Sequence, residues 1–165
     1  MFLAATLALV FLAGCTGGGG QRACPAGTPM PIGSDTMAAV VAHHFERHGQ
    51  ESVEEFALVD GWRVELYQSG CDLIRQEFRF GAPDTVAARP AEELFAVAAE
   101  RFRKMAGLSP AWAPFSQWAD AIESVATEAR PGVPVELPGH IRLRVEDYHL
   151  GPEWWIVVVL EQRIE

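Results

Sequence analysis

The seven consecutive residues 154–160 are all apolar, and four of them are β-branched. β-branched and aromatic residues favour strands, in which successive side chains point to opposite faces. A strand that is apolar on both faces lies in the middle of a sheet, or has its outer face covered by another segment. The chain must therefore build a sheet around this run. One face of the strand would carry Ile156, Val158 and Leu160, and the other Trp155, Val157 and Val159.

Three other segments alternate between apolar and charged or polar residues, which predicts strands with one apolar face. They are residues 62–67, 74–80 and 141–146. A shorter strand at residues 53–59 precedes the first of them. A turn near Gly151-Pro152 separates the last two strands of the chain.

Three further segments place apolar residues at helical spacing. Residues 34–48 begin with side chains that can cap a helix and end before Gly49, which predicts a first helix. A second helix begins at Pro90, a typical first helical residue, and ends at Gly107. A third follows Ser116 and ends before Pro131.

The resulting order is one helix, three strands, two helices and two strands, α-β-β-β-α-α-β-β. This order predicts an α+β domain, in which a mostly antiparallel sheet of about five strands carries helices packed on one face. No internal repeat divides the chain.

Charges predict how the strands at 62–67 and 74–80 pair. Setting Leu66 opposite Ile74 also sets Glu65 opposite Arg75. A slip of two residues would set Glu65 opposite Glu77, and like charges directly opposite each other are unfavourable. We therefore predict the first register, which leaves a three-residue loop at the tip of the hairpin.

The chain begins with an uncharged apolar run at residues 2–13, shorter than the roughly 20 residues that a permanent transmembrane helix needs. The run ends in Leu12-Ala13-Gly14-Cys15, after which Thr16 and four glycines follow. A short apolar segment that ends in small residues is typical of an export signal, although no Lys or Arg precedes it here. The tetrad resembles the lipobox of bacterial lipoproteins.

This resemblance implies that a dedicated peptidase cleaves in front of Cys15 and that Cys15 carries acyl chains such as palmitate. Several acyl chains together anchor a protein stably, whereas a single chain does so only marginally. Thr16 then favours the outer membrane, with the domain facing the periplasm. The chain would divide into a signal peptide at 1–14, a lipidated cysteine and Gly-rich tether at 15–23, and a single globular domain at 24–165.

With Cys15 lipidated, Cys24 and Cys71 are the remaining thiols, in a compartment where disulfides persist. We predict that they pair. The bridge would close a loop of nearly fifty residues, stabilise the fold by about 4 kcal/mol, and join the end of the tether to a hairpin tip. A metal site is not expected, because two lone cysteines lack CxxC spacing and a nearby histidine pair.

The formal net charge is −9, and all charged residues lie beyond the signal. This balance argues against binding to nucleic acid and against electrostatic adhesion to anionic lipid, because both favour a basic surface. Two interpretations stay open: a solvated acidic surface, or a surface that suits a basic protein partner.

His44 and His48 are four residues apart on the predicted first helix, a spacing that can hold a metal. The zincin pattern requires Glu directly after the first histidine, and Phe45 stands there. We therefore predict partly buried histidines and neither a metal nor a cofactor. No Gly-x-Ser-x-Gly elbow and no acid/base pair of carboxylates is evident, so no catalytic residue is assigned.

Three functions remain. We predict a non-enzymatic protein-binding module, such as an assembly subunit or an inhibitor or immunity-type protein. Its contact set would be Trp154, Trp155, Val157 and Val159, unless a segment such as residues 108–114 folds across that face.

The alternatives belong to other classes. An envelope hydrolase would use a histidine as base, and a carrier would hold a small apolar ligand between the sheet and the helices. The candidate bases are His44, His48, His140 and His149.

Overall fold

The computed structural model of the protein describes residues 24, 27–83 and 91–164. Within these residues, seven strands form one antiparallel sheet, and two α-helices and a single 3₁₀ turn lie between the fourth and fifth strands. The strands are β1 (Val40–His48), β2 (Glu51–Leu58), β3 (Arg63–Ser69), β4 (Leu73–Pro83), β5 (Val135–Leu137), β6 (Ile141–Leu150) and β7 (Glu153–Arg163). The helices are α1 (Ala91–Leu108) and α2 (Phe115–Val125), with the 3₁₀ turn at Pro110–Trp112.

The predicted α+β class is confirmed, whereas the predicted order is wrong. Four strands, and not a helix and three strands, precede the two helices, and three strands follow them. The strands lie in the order β1-β2-β3-β4-β7-β6-β5. β7 pairs with β4 on one side and β6 on the other, as an apolar run of this length requires.

The helix predicted over residues 34–48 is wrong, because residues 40–48 form β1 and pair along their length with β2. This segment opens with Val40 and Val41, which are β-branched and fit a pleated strand better than a helix. Gly49 has a φ of 63° and begins the two-residue loop to β2, since His48 pairs with Glu51. A glycine of this kind is as typical of a hairpin loop as of a helix end.

The register predicted for β3 and β4 is also wrong, by four residues. The structure pairs Leu66 with Phe78 and Glu65 with Arg79. Arg75 and Arg79 lie on the same face of β4, four residues apart. A slip of four residues therefore again sets Glu65 opposite an arginine and Leu66 opposite an apolar residue. The charge pattern could not separate these two registers.

The core lies between the helices and one face of the sheet, which we name the helix-side face. Phe102 of α1 meets Phe78 and Phe80 of β4 edge to face, with ring centroids 4.9 and 5.2 Å apart. Trp112 of the 3₁₀ turn packs in the same way on Phe56 of β2, at 5.3 Å. In the part of the chain that the structure describes, no helix is long and apolar enough to span a membrane.

Candidate functional site

The face of the sheet opposite the helices, which we name the charged face, carries most of the sheet's ion pairs. The strand registers set Glu65 of β3 opposite Arg79 of β4 and Arg142 of β6 opposite Glu161 of β7, whereas Glu55 of β2 lies opposite Glu65, a pair of like charges. It is formed by Glu55, Arg63, Glu65, Tyr67, Arg75, Glu77, Arg79, Arg142, Arg144, Glu146, Tyr148 and Glu161.

An apolar strip of β7 lies beneath these charges. Trp155, Val157 and Val159 are on the charged face, as the alternation predicted, and they are only 2, 4 and 2 % exposed. Tyr148 stacks on Trp155 with centroids 6.2 Å apart, and the Arg63 guanidinium lies 5.2 Å from the same ring. The strip is therefore shielded by side chains of its own sheet.

Residues 108–114 do not cover this strip, so that predicted alternative is wrong. Trp112, in the middle of the segment, is buried on the helix-side face against Phe56. Trp154, the fourth residue of the predicted contact set, is partly buried beside the helix-side core, and its indole N–H donates to Asp147 at 2.8 Å. The side chains available to a partner on the charged face are the polar ones above the strip.

Glu77 is the centre of the ion-pair network on this face. Its carboxylate accepts hydrogen bonds from Arg75 at 2.6 Å and from Arg79 at 2.7 Å. Burial disfavours the ionised carboxyl, but the two guanidinium groups outweigh it and hold the pKa of Glu77 below its usual value. Arg75 also lies 3.4 Å from Glu161, which lies 3.7 Å from Arg142. The network therefore joins β4, β7 and β6.

An open depression of about 370 Å³ lies over Val157 on the charged face. Arg79, Glu146 and Tyr148 are among the side chains that line it. The Arg79 guanidinium is 4.2 Å from the ring centroid of Tyr67, which fixes the side chain from the other side. A polar partner group would thus meet both signs of charge and an aromatic ring within one depression.

A second feature is an N-terminal strap, residues 27–39, that crosses the helix-side face before β1 begins. Its upstream end is tied by the predicted disulfide between Cys24 and Cys71, which the structure contains. Gln68 donates to the carbonyl of Met30 at 3.1 Å, and the Trp112 indole donates to the carbonyl of Ile32 at 2.7 Å. The strap is therefore held by side chains that bind its main chain.

Glu54 of β2 completes this clamp. Its carboxylate accepts the backbone N–H of Ile32 at 2.8 Å and that of Gly33 at 3.0 Å, and it lies 2.8 Å from Nε2 of His43. The side chain of Glu54 is fully buried. A Cβ atom at Gly33 would lie 2.4 Å from the Phe56 ring, so a side chain there would force that ring to move. His43 and Glu54 are not among the predicted site residues, because the helical spacing of residues 34–48 predicts a helix where His43 lies on β1.

The four histidines considered as candidate bases are exposed and do not form one cluster. His44 and His48 are on β1, whereas His149 is on β6, and four strands separate β1 from β6. His140 lies in the turn between β5 and β6, with a φ of 58°. Among the described residues, no group of three or more His, Cys, Asp or Glu side chains is placed to hold a metal ion.

Cys15, the rest of the lipobox and the Gly-rich tether lie outside the described residues. No family model, no curated protein and no solved structure matches this chain.

Proposed function

We propose that this chain is a lipid-anchored protein of the bacterial cell envelope that binds another protein through the charged face of its sheet. Cys15 would hold it in the membrane, most simply the outer membrane, with the domain in the periplasm. The observation that carries the binding proposal is the composition of the charged face. A buried apolar strip there lies beneath a continuous network of arginine and glutamate side chains.

The proposed location is supported by the lipobox-like tetrad, by the number of cysteines and by the disulfide. Leu12-Ala13-Gly14-Cys15 resembles a lipobox, and the cysteines that remain after lipidation of Cys15 are joined in a disulfide. Disulfides persist in oxidising compartments such as the periplasm and are rare in the cytosol. Lipidation and disulfide formation thus require the same side of the inner membrane.

The partner surface differs from the one predicted from the sequence. Because Trp155, Val157 and Val159 are buried, a partner would contact the polar side chains above them, among which Glu55 and Arg142 are exposed. Interleaved charges of both signs favour a partner whose own charges alternate in the complementary pattern, and they confer specificity more than affinity. An assembly subunit or an inhibitor of a protein target fits this description.

Site-specific photo-crosslinking in intact membranes tests the proposal. A photoreactive residue replaces Glu55 or Arg142 on the charged face, and the matched control position is Gln117, an exposed residue of α2. We expect one protein adduct of the same mass from positions 55 and 142, reduced at high salt because exposed charges are screened. Absence of that adduct, or an equal adduct from position 117, would contradict binding through the charged face.

The anchor is tested separately. Cys15→Ser removes the thiol that would be acylated, and we expect the variant to leave the membrane fraction. If the variant sediments with membranes as the parent protein does, the lipoprotein assignment is wrong, whatever the crosslinking shows.

A further inference from the structure

We infer that one end of the sheet faces the lipid bilayer, and that this is the end that carries Cys71. The inference rests on the proposed acylation of Cys15. The turns at residues 49–50, 70–72 and 138–140 lie at this Cys71 end, and the turns at 59–62 and 151–152 lie at the opposite, Gly151 end.

A short tether joins the anchor to the domain. Cys24 follows Cys15 by nine residues, a distance of at most about 30 Å even when fully extended. The disulfide fixes Cys24 to the turn between β3 and β4. The Cys71 end is therefore confined to a shell about 30 Å deep above the membrane surface.

The opposite end has no such restriction. β4 and β7 are each 11 residues long, so the sheet is about 35 Å from end to end. Val59 and Leu150, at the Gly151 end, are 65 and 61 % exposed. With one end tethered and the other free, the Gly151 end lies on average farther from the bilayer, and the strands of the charged face run away from the membrane.

The strap is bound to the domain, which limits how much of the chain could detach and lengthen the tether. Among the described residues beyond Cys24, the strap is held at Met30 by Gln68, near the Cys71 end, and then at Ile32 and Gly33 by Glu54. Breaking the disulfide would therefore lengthen the tether by at most the six residues from Cys24 to Met30, a limit of about 20 Å. The disulfide thus sets the distance, and the strap sets which end is held.

Energy transfer to the membrane tests this orientation in the full lipidated protein. A donor dye is placed at Gln50, in the turn between β1 and β2 at the Cys71 end, or at Leu150, the last residue of β6 at the Gly151 end; both positions are exposed. The protein is reconstituted in neutral phosphatidylcholine vesicles that carry an acceptor dye on a lipid headgroup. We expect higher transfer from position 50 than from position 150, and a smaller difference of the same sign in the double variant Cys24→Ser, Cys71→Ser, because Gln68 still holds the strap near the same end.

Equal transfer from the two positions, or higher transfer from position 150, in protein that floats with the vesicles would overturn the orientation. Flotation of the Cys15→Ser variant is measured in parallel. If that variant floats as well as the parent, the lipid anchor itself fails, and this failure is distinct from a wrong orientation of an anchored domain.

Discussion

Nε2 of His43 lies 2.8 Å from Oε1 of Glu54, whose side chain has no solvent exposure. Buried carboxylates are rare unless hydrogen-bonded, because transfer of an ionised group out of water is costly. Here the carboxylate also accepts the main-chain N–H groups of Ile32 and Gly33. The contact therefore joins β1, β2 and the strap at one point.

Glu54→Ala should loosen the strap and lower the free energy of unfolding by about 2–4 kcal/mol, because two partly buried N–H groups lose their acceptor. Glu54→Gln retains one acceptor oxygen and the shape of the side chain, so its effect should be smaller. Chemical denaturation measures the stability, and limited proteolysis measures cleavage within residues 27–39. Glu55→Gln, on the opposite face of the same strand, is the control and should change stability by less than about 0.5 kcal/mol. Equal losses at positions 54 and 55 would contradict the clamp.

Gly33→Ala tests whether the strap is closely packed. An added Cβ would lie 2.4 Å from the ring of Phe56, which must move, and we expect a loss of about 1–3 kcal/mol. Gly107→Ala is the matched control, since its Cβ would meet no atom within 4 Å and alanine favours the helix. Thermal unfolding should show opposite shifts for the two variants; a neutral Gly33→Ala would mean that the strap is not seated on Phe56.

Acidification should weaken the fold partly through Glu77. Because Arg75 and Arg79 hold the pKa of Glu77 below its usual value of 4.5, the ionised carboxylate stabilises the fold above that pH. This contribution is lost as the pH falls through the lower folded-state pKa. Glu77→Gln should therefore be less stable than the parent by about 1–2 kcal/mol near neutral pH, with a difference that shrinks below pH 4.5. Chemical denaturation at a series of pH values measures this difference in stability. A difference that is constant with pH would contradict a lowered pKa for Glu77.

Trp155→Ala should destabilise the protein by about 3–5 kcal/mol, because this indole is 2 % exposed beneath Tyr148 and Arg63. The substitution would then impair any binding through loss of the fold and not through loss of a direct contact. Val41→Ala, at a side chain that is 68 % exposed, is the control and should have little effect. A fully stable Trp155→Ala protein would mean that the strip is not a packed layer.

Reduction of the Cys24–Cys71 disulfide should lower stability by about 4 kcal/mol in the chain-entropy account of a 47-residue separation. The double variant Cys24→Ser, Cys71→Ser should unfold at the same denaturant concentration with or without reductant. The oxidised parent should lose stability only when reductant is added. A parent protein indifferent to reductant would contradict the bridge.

Two elements that were predicted from local sequence pattern alone are confirmed, α1 and β7. The apolar stripe of residues 90–107 gave α1, and the alternation in residues 154–160 gave both the central position of β7 and the two faces of its side chains. In residues 90–107 the apolar period is that of a helix, and in residues 154–160 the short length and the β-branched residues favour a strand. The pairing of Cys24 with Cys71 followed from the lipobox resemblance and cysteine number alone.

Features that depend on contacts between distant residues were not predicted. Residues 40–48 fit helical spacing almost as well as alternation, and only pairing with β2 decides between them. The clamp at Glu54 joins residues that are 11 to 22 positions apart, with no motif that indicates their contact. Likewise, the cover over Trp155 comes from Tyr148 and Arg63, which reach it from different strands.

The position of β7 also determines when this sheet can form. It is the last described strand along the chain, yet it lies between β4 and β6 and makes the sheet continuous. While β7 is absent, β1–β4 and β5–β6 are two separate ladders with apolar faces exposed, and such intermediates are prone to aggregate. Folding of the whole sheet must therefore wait until residues 153–163 are available, so the two separate ladders stay exposed to aggregation until β7 inserts between β4 and β6.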